Sequence, residues 1–409
     1  MSDKPIDKAS LLKNLMDNMA DSIYFKDLKS RFIMVNRTLA EAWGYSSPEE
    51  LVGKSDFDSF RQADAQQMYE DEKSIIKSGK PVIGIEEETN WKDGHVAWSS
   101  TSKMPLYDLE GNIAGTFGVS RNITDHKIAQ IRAMNYAKEM SAIKEEMEED
   151  LHMAGELQKT FFPRSYPVFP AGVDSEESCV DFLHRFEPCS DISVTGDYCS
   201  VSRLSDTEAG IFLCDIRSIG VRAALGTALI RGIVQEISSL RLDPGAYLSR
   251  LNERLLPLLR ASGNLLDITA CYLVVNLTSG EVRFASAGHP SPICFPKAGD
   301  VHYLVDATGF CDPALAVQSD VTYRTVKCQV APGDAVILFT DGLCCVKNSR
   351  GEPFGGERLL EAARCLNREP LDEIFQGLKN SAKAFIGGGA FTDDICLVGF
   401  RLRHLLTSS

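Results

Sequence analysis

The apolar positions of the chain change period three times, and each change predicts a different kind of element. Leu11 to Met16 repeats its apolar residues at helical spacing. Ser22–Phe25 and Phe32–Val35 are short β-prone runs, and Lys26–Ser30 between them predicts a hairpin turn. Asn36 is placed to cap a helix over Arg37–Trp43. A polar stretch with helix signals follows from Pro48 to Lys80. Three strand-like runs come next, Val82–Thr89, His95–Lys103 and Ile113–Ser120, with turns at Asp93-Gly94 and Glu110-Gly111.

The period then becomes helical. From 126 to 161 there is no proline and one glycine. Ala133, Tyr136, Met140, Ile143, Met147, Ala154, Leu157 and Phe161 follow alternating three- and four-residue steps, with Asp150 at one seam position. Two readings fit: a parallel dimeric coiled coil with a local irregularity, or an amphipathic helix packed on its own chain. Beyond Pro163, Pro167 and Pro170 the apolar runs shorten and alternate with helical segments. Ile211–Cys214, Ala270–Val275, Ala335–Phe339 and Ile395–Phe400 predict strands; Val221–Leu240 and Pro244–Ala261 predict helices. The organisation expected is three modules, 10–124, 125–162 and 163–402, of α+β class.

Composition narrows the function. The chain has 409 residues and a formal net charge of −14, which disfavours broad binding to nucleic acid or an anionic membrane. The start, Met1-Ser-Asp-Lys-Pro, lacks an apolar secretory core, and nowhere do about 18 apolar residues run together. The expected location is the cytoplasm, without a membrane span. The twelve cysteines then read as thiols, the adjacent Cys344-Cys345 included, and none has zinc spacing. All three tryptophans precede residue 100 and the first cysteine is Cys179, so the two large modules differ in composition.

Aspartates recur at strand ends in the larger module. Asp197 lies in Thr195-Gly-Asp-Tyr198, Asp215 follows Cys214, Asp341 lies in Phe339-Thr-Asp-Gly342, and Asp393-Asp394 precede the last strand. Carboxylates beside buried apolar runs are costly unless paired or solvated, and several at one sheet rim repel one another. A hard cation, Mg²⁺ or Mn²⁺, removes that cost. Asp-Gly is also a common turn pair, so for any single aspartate a turn role and a ligand role both fit.

Read together, these contexts resemble known families. Ile23-Tyr-Phe-Lys-Asp27, Asn36, Gly44-Tyr45, Glu50-Leu-Val-Gly53, Trp91-Lys-Asp-Gly94 and Arg121-Asn-Ile-Thr-Asp125 resemble a PAS sensor domain. Ala154-Gly-Glu-Leu-Gln158, Pro188–Tyr198, Asp215–Leu225, Ala287-Gly-His-Pro290, Leu338–Gly342, Phe354-Gly355 and Thr392-Asp-Asp-Ile395 resemble, in order, the metal-dependent (PPM-type) serine/threonine protein phosphatases of the SpoIIE-like branch. The resemblance implies a β-sandwich flanked by helices, with two divalent cations, Mn²⁺ or Mg²⁺, at one end. It implies Asp197, Asp215, Asp341 and Asp393 as ligands and catalytic centre, the carbonyl of Ile216 as a further ligand, and Asp394 as the alternative to Asp393. The cations would activate a water for in-line attack on phosphoserine or phosphothreonine. By the same resemblance the substrate is a phosphorylated STAS-type anti-sigma-factor antagonist in a partner-switching pathway, and the chain a homodimer through its coiled coil and PAS domain.

The departures lie beside the centre. Thr195 replaces the first glycine of Gly-Gly-Asp, Ser200 stands where a second aspartate often follows, and Cys345 and Cys396 replace Glu and Thr. Arg217-Ser218-Ile219 replace Ser-Gly-His, and Ile219 cannot donate a proton. That loss predicts a rate penalty of about 10²–10⁴ if the histidine acted as an acid, and it motivates a second reading, a pseudophosphatase scaffold that holds a phosphoprotein. His289 is expected to be architectural rather than a replacement acid, and Arg217 and Arg222 to be solvated, the other reading being that they reach a phosphate from a helix N-terminus. In the PAS module the absence of cysteine excludes a flavin–cysteinyl adduct. His95 and His126 are poorly placed for haem, and Phe25, Phe32, Trp43, Trp98 and Phe117 are expected to be core. A sensor histidine kinase does not fit: His126 lacks the following Glu-x-x-x-Pro, and no Gly-rich nucleotide lid follows.

Overall fold

A computed structural model describes residues 7–189, 194–218, 220–263, 266–305 and 311–407. The chain divides into two compact units, Met1–Ala142 and Ile143–Ser409.

The first unit opens with α1 (Lys8–Asn18), then β1 (Ser22–Asp27), β2 (Phe32–Val35), α2 (Arg37–Ala42) and α3 (Gln62–Ser78). Three strands complete it: β3 (Val82–Asn90), β4 (Val96–Tyr107) and β5 (Ile113–Asn122). They form one antiparallel sheet in the order β2-β1-β5-β4-β3, the PAS arrangement. Asn36 caps α2, its Oδ1 accepting the Leu39 N–H at 3.0 Å and also the Ile23 N–H at 2.9 Å. Gly94 and Gly111 take positive φ in the predicted turns. Inside lies a cavity of about 150 Å³, bordered among others by Phe32, Trp43 and Trp98. These three rings therefore border a space as well as packing, while Phe25 and Phe117 stack on each other at 5.7 Å. His95, in its turn, stacks on Trp91 and also borders the cavity. The Lys26 ammonium is buried there between Asp56 and Glu72 and bonds both carboxylates.

The helix α4 (Thr124–Lys159) carries 36 residues. Over most of its length Ile128, Tyr136, Met140, Ile143 and Met147 are exposed. Its last turns differ: Leu151 and Ala154 are half-buried, and Gly155 and Gln158 are buried, a face repeating at three and four residues. Ala154 thus packs on its own unit, and Phe161 lies past the helix end.

The second unit is an antiparallel sandwich. One sheet has the order β13-β10-β9-β8-β7, from β7 (Tyr198–Arg203), β8 (Glu208–Ile216), β9 (Ile268–Asn276), β10 (Glu281–Ala287) and β13 (Val326–Gln329). The other has the order β12-β11-β14-β15-β6, from β6 (Val180–Glu187), β11 (Ile293–Phe295), β12 (His302–Tyr303), β14 (Ala335–Phe339) and β15 (Ile395–Leu402). Strand alternation builds the layers. Ile211 and Leu213 face the core between the sheets, while Phe212 and Cys214 face α5 (Val221–Ser238) and α6 (Pro244–Ser262). Likewise Cys396 and Val398 face inward, and Ile395 and Leu397 face α7 (Gly355–Cys365) and α8 (Leu371–Phe385). Both faces of each sheet are covered, so these strands read as continuous apolar runs. All twelve cysteines are free thiols; Cys199, Cys214, Cys271 and Cys396 are among those buried in this sandwich. Among the described residues no helix is long and apolar enough to cross a membrane.

Candidate metal centre

Strand ends deliver the aspartates to one place. Asp215 is the penultimate residue of β8, Asp197 immediately precedes its partner β7, Asp341 follows β14, and Asp393-Asp394 precede β15. Since β7 pairs with β8 and β14 with β15, each sheet contributes two of these segments to one end of the sandwich. Asp197 and Asp215 are buried, Asp341 is half-buried and Asp393 is exposed.

Two glycines make the approach possible. A Cβ on Gly196 would stand 2.1 Å from the Ile216 carbonyl oxygen, and one on Gly342 would stand 1.9 Å from that of Asp394. No side chain fits at either point, so each glycine lets one acidic segment lie directly on another. The Ile216 N–H donates to the Gly196 carbonyl at 3.2 Å, tying the first pair together.

The electrostatics are those of crowded carboxylates. Burial first, then the Asp341 and Asp393 charges, push the Asp215 carboxyl up to about 7. Asp197 is pushed well above the usual carboxylate range, by burial and then by Cys396, Asp215 and Asp394; a hydrogen bond from Thr340 opposes this. Asp393, although its residue is exposed, is also raised, first by partial desolvation of its carboxyl and then by the Asp341 and Asp394 charges. Asp394 has a structural bond: its Oδ1 accepts the Cys189 N–H at 2.8 Å, and its own N–H donates to Asp393 Oδ1 at 2.9 Å.

A layer of polar groups behind the aspartates was not legible from the motifs. Thr340 Oγ1 donates to Asp197 Oδ2 at 2.9 Å and accepts the Cys396 N–H at 2.9 Å, so it bridges the two sheets at the site. Thr195 Oγ1 accepts the Asp197 N–H at 2.9 Å, giving the substituted residue a positive role. Gln158, from the end of α4, pairs both ways with the Thr195 backbone: Nε2 donates to its carbonyl at 3.0 Å and Oε1 accepts its N–H at 2.8 Å. The same Nε2 contacts Thr227 Oγ1 on α5. Gln158 was part of a recognisable segment, but nothing in its spacing pointed to a partner 37 residues away.

Other expectations meet different outcomes. His289 is buried, its Nδ1 2.8 Å from Thr269 Oγ1, and burial lowers its pKa to about 4 despite the Asp341 charge. It is a neutral ring in the frame of the turn. Arg217 is not simply solvated: its Nη2 donates to Asp341 Oδ2 at 2.7 Å. Arg222 is exposed. Ile219 lies outside the described residues.

Among the described residues no three His, Cys, Asp or Glu side chains close around a single point as an assembled metal cage would. The residues fit a hard cation in kind. They are oxygen donors from four chain segments, and the raised Asp215, Asp197 and Asp393 carboxyls record burial and crowding that the Arg217 guanidinium offsets only in part. Asp197, Asp215, Asp341 and Asp393, with the Ile216 carbonyl, are the groups that would hold it.

Comparison with known proteins accords with this geometry. Residues 205–403 match the model of the Stage II sporulation protein E (SpoIIE) family, and residues 16–128 match the PAS fold. Phosphoserine phosphatase RsbU of Bacillus subtilis (strain 168) is 24% identical over 243 residues, covering 58% of this chain and 67% of RsbU. Protein IcfG of Synechocystis sp. (strain ATCC 27184 / PCC 6803 / Kazusa) is 22% identical over 273 residues, covering 61% of this chain but 41% of IcfG. Among solved structures, the SiaA-PP2C domain of Pseudomonas aeruginosa superposes with a TM-score of 0.52 at 24% identity, covering 64% of this chain and 99% of that domain. The second unit therefore has the PP2C, or PPM-type, phosphatase fold. More particularly, the chain joins a PAS-like module to a SpoIIE-like one.

Proposed function

We propose that the chain is a sensor-regulated protein serine/threonine phosphatase that hydrolyses phosphoserine or phosphothreonine with divalent cations. The observation that carries this reading is the convergence of Asp197, Asp215, Asp341 and Asp393 at one sandwich end, where burial raises the two buried carboxyls and neighbouring carboxylates add to it. Bound Mn²⁺ or Mg²⁺, two in the full centre, would supply water activation and stabilise charge on the phosphoryl oxygens. The chain's own part is positional. Thr340 and Thr195 hold Asp197 from side chain and backbone. Gly196 and Gly342 bring the segments within reach. His289, neutral and buried, is tied to Thr269 and, through its backbone, to Ser286, and carries no extra proton to give a leaving group. The family resemblance supports a phosphorylated STAS-type protein as substrate, and the apolar stripe Tyr136, Met140, Ile143, Met147 along α4 supports a second copy of the chain as its partner. A cytoplasmic setting agrees with twelve free thiols.

One observation favours the scaffold reading. Arg217 bonds Asp341, and the loop lacks the family's histidine. Mn²⁺-dependent phosphate release from a phosphoserine STAS protein separates the two. The phosphatase reading expects release by the full chain, reduced at least 10²-fold in Asp215→Asn. Metal binding without release would select the scaffold.

A further inference from the structure

Arg217 follows Ile216, and its root is fixed because its N–H donates to the Asp267 carbonyl at 2.9 Å. From there the side chain reaches across to the other sheet's acidic segment. Nη2 donates to Asp341 Oδ2 at 2.7 Å, and Nη1 lies 3.6 Å from Asp267 Oδ2. The Arg217 side chain is 55% exposed while that of Asp341 is 16% exposed. A permanent cation therefore rests on a centre carboxylate with solvent on its outer side. A guanidinium cannot shed its proton, so it competes with a metal ion at every accessible pH. It uses a carboxylate oxygen that a metal would need, and its charge repels a dication placed beside it. Being half exposed, it can also leave at little cost. Asp197 lies deeper and is held by Thr340 instead.

We propose that Arg217 is a built-in competitor for one of the two cation positions. It holds the Asp341 side of the centre, so the first divalent ion binds tightly and the second must displace the guanidinium. The inference rests on the divalent-cation reading above, and concerns which residue sets the loading of the centre.

Mn²⁺ titration of the chelator-treated full chain by calorimetry, with free Mn²⁺ followed by electron paramagnetic resonance, tests it without reference to activity. The wild type is expected to show two binding steps at least tenfold apart in Kd. Arg217→Met should tighten the second step at least tenfold and leave the first in place. Arg217→Lys, which keeps the charge, should keep the steps apart; if Met and Lys behave alike, charge competition is wrong. An unchanged separation in Arg217→Met, or two equal steps in the wild type, overturns the proposal. Asp215→Asn is the control: loss of both steps identifies the titrated centre. No Mn²⁺ binding by any variant instead overturns the cation reading itself, and the competitor with it.

Discussion

Asp215 ties protonation to folding. Its carboxyl is raised to about 7 in the folded chain, against an ordinary value of 3.8. The folded state therefore binds the extra proton between those values. The stabilising contribution is fully present below about pH 4 and is lost as pH rises toward 7. In metal-free protein this group is expected to remove stability on the order of a few kcal/mol over that window, as read by urea unfolding at stepped pH. Saturating Mn²⁺ should flatten or reverse the slope, because the bound cation favours the ionised form. At this scale the sequence was partly legible. The aspartates stand out because each sits beside an apolar strand. Thr340 and Arg217 do not, since their partners lie 143 and 124 residues away and only the sandwich brings them together.

Among the elements, α4 does two jobs along one helix. Its upstream face is exposed and apolar, and its last turns are bound into the phosphatase fold. Gln158 is the joint: one amide pairs with both backbone groups of Thr195, two residues before Asp197, and contacts α5. Gln158→Ala leaves a buried N–H and carbonyl without partners, and should destabilise the second unit by about 1–3 kcal/mol in denaturant melts. Because Thr195 also holds the Asp197 N–H, the variant should in addition weaken Mn²⁺ binding several-fold by calorimetry. A stability loss with unchanged metal affinity would limit Gln158 to packing. Element types were readable from period alone for strongly patterned segments: Phe32–Val35 is a strand over the span its pattern indicates, and Asn36 caps the helix after it. β4 runs on to Tyr107, past the predicted Lys103, because Pro105 does not end it. The short strands β11 and β12 carry too few residues for any period to show.

At the scale of the whole molecule, the exposed stripe on α4 sets the expectation for assembly. Met140, Ile143 and Met147 are each more than half exposed, as are Met134 and Tyr136 earlier on the same helix. Replacing all three by lysine should convert a dimer into a monomer in sedimentation equilibrium, while far-ultraviolet circular dichroism of the two units stays close to wild type. A wild type that is already monomeric at tens of micromolar would remove the second-copy reading of the stripe. The two compositional halves of the sequence, tryptophan-bearing and cysteine-bearing, correspond to two differently built cores.

The thiols of the second core turn that difference into a clock. Cys311, Cys345 and Cys365 face solvent, whereas Cys199, Cys214, Cys271 and Cys396 line the sandwich. Burial raises the pKa of Cys271, and a hydrogen bond with Cys199, then burial, raises that of Cys396, which suppresses the reactive thiolate. Brief exposure to an alkylating reagent should thus tag the outer thiols and spare the inner ones, and each added mass on an inner cysteine counts one opening of the sandwich. Cys396 shares its backbone N–H with Thr340, and Cys214 adjoins Asp215. The rate at which those two acquire tags would time the breathing of the aspartate-bearing end itself, in unmodified protein and without an engineered label.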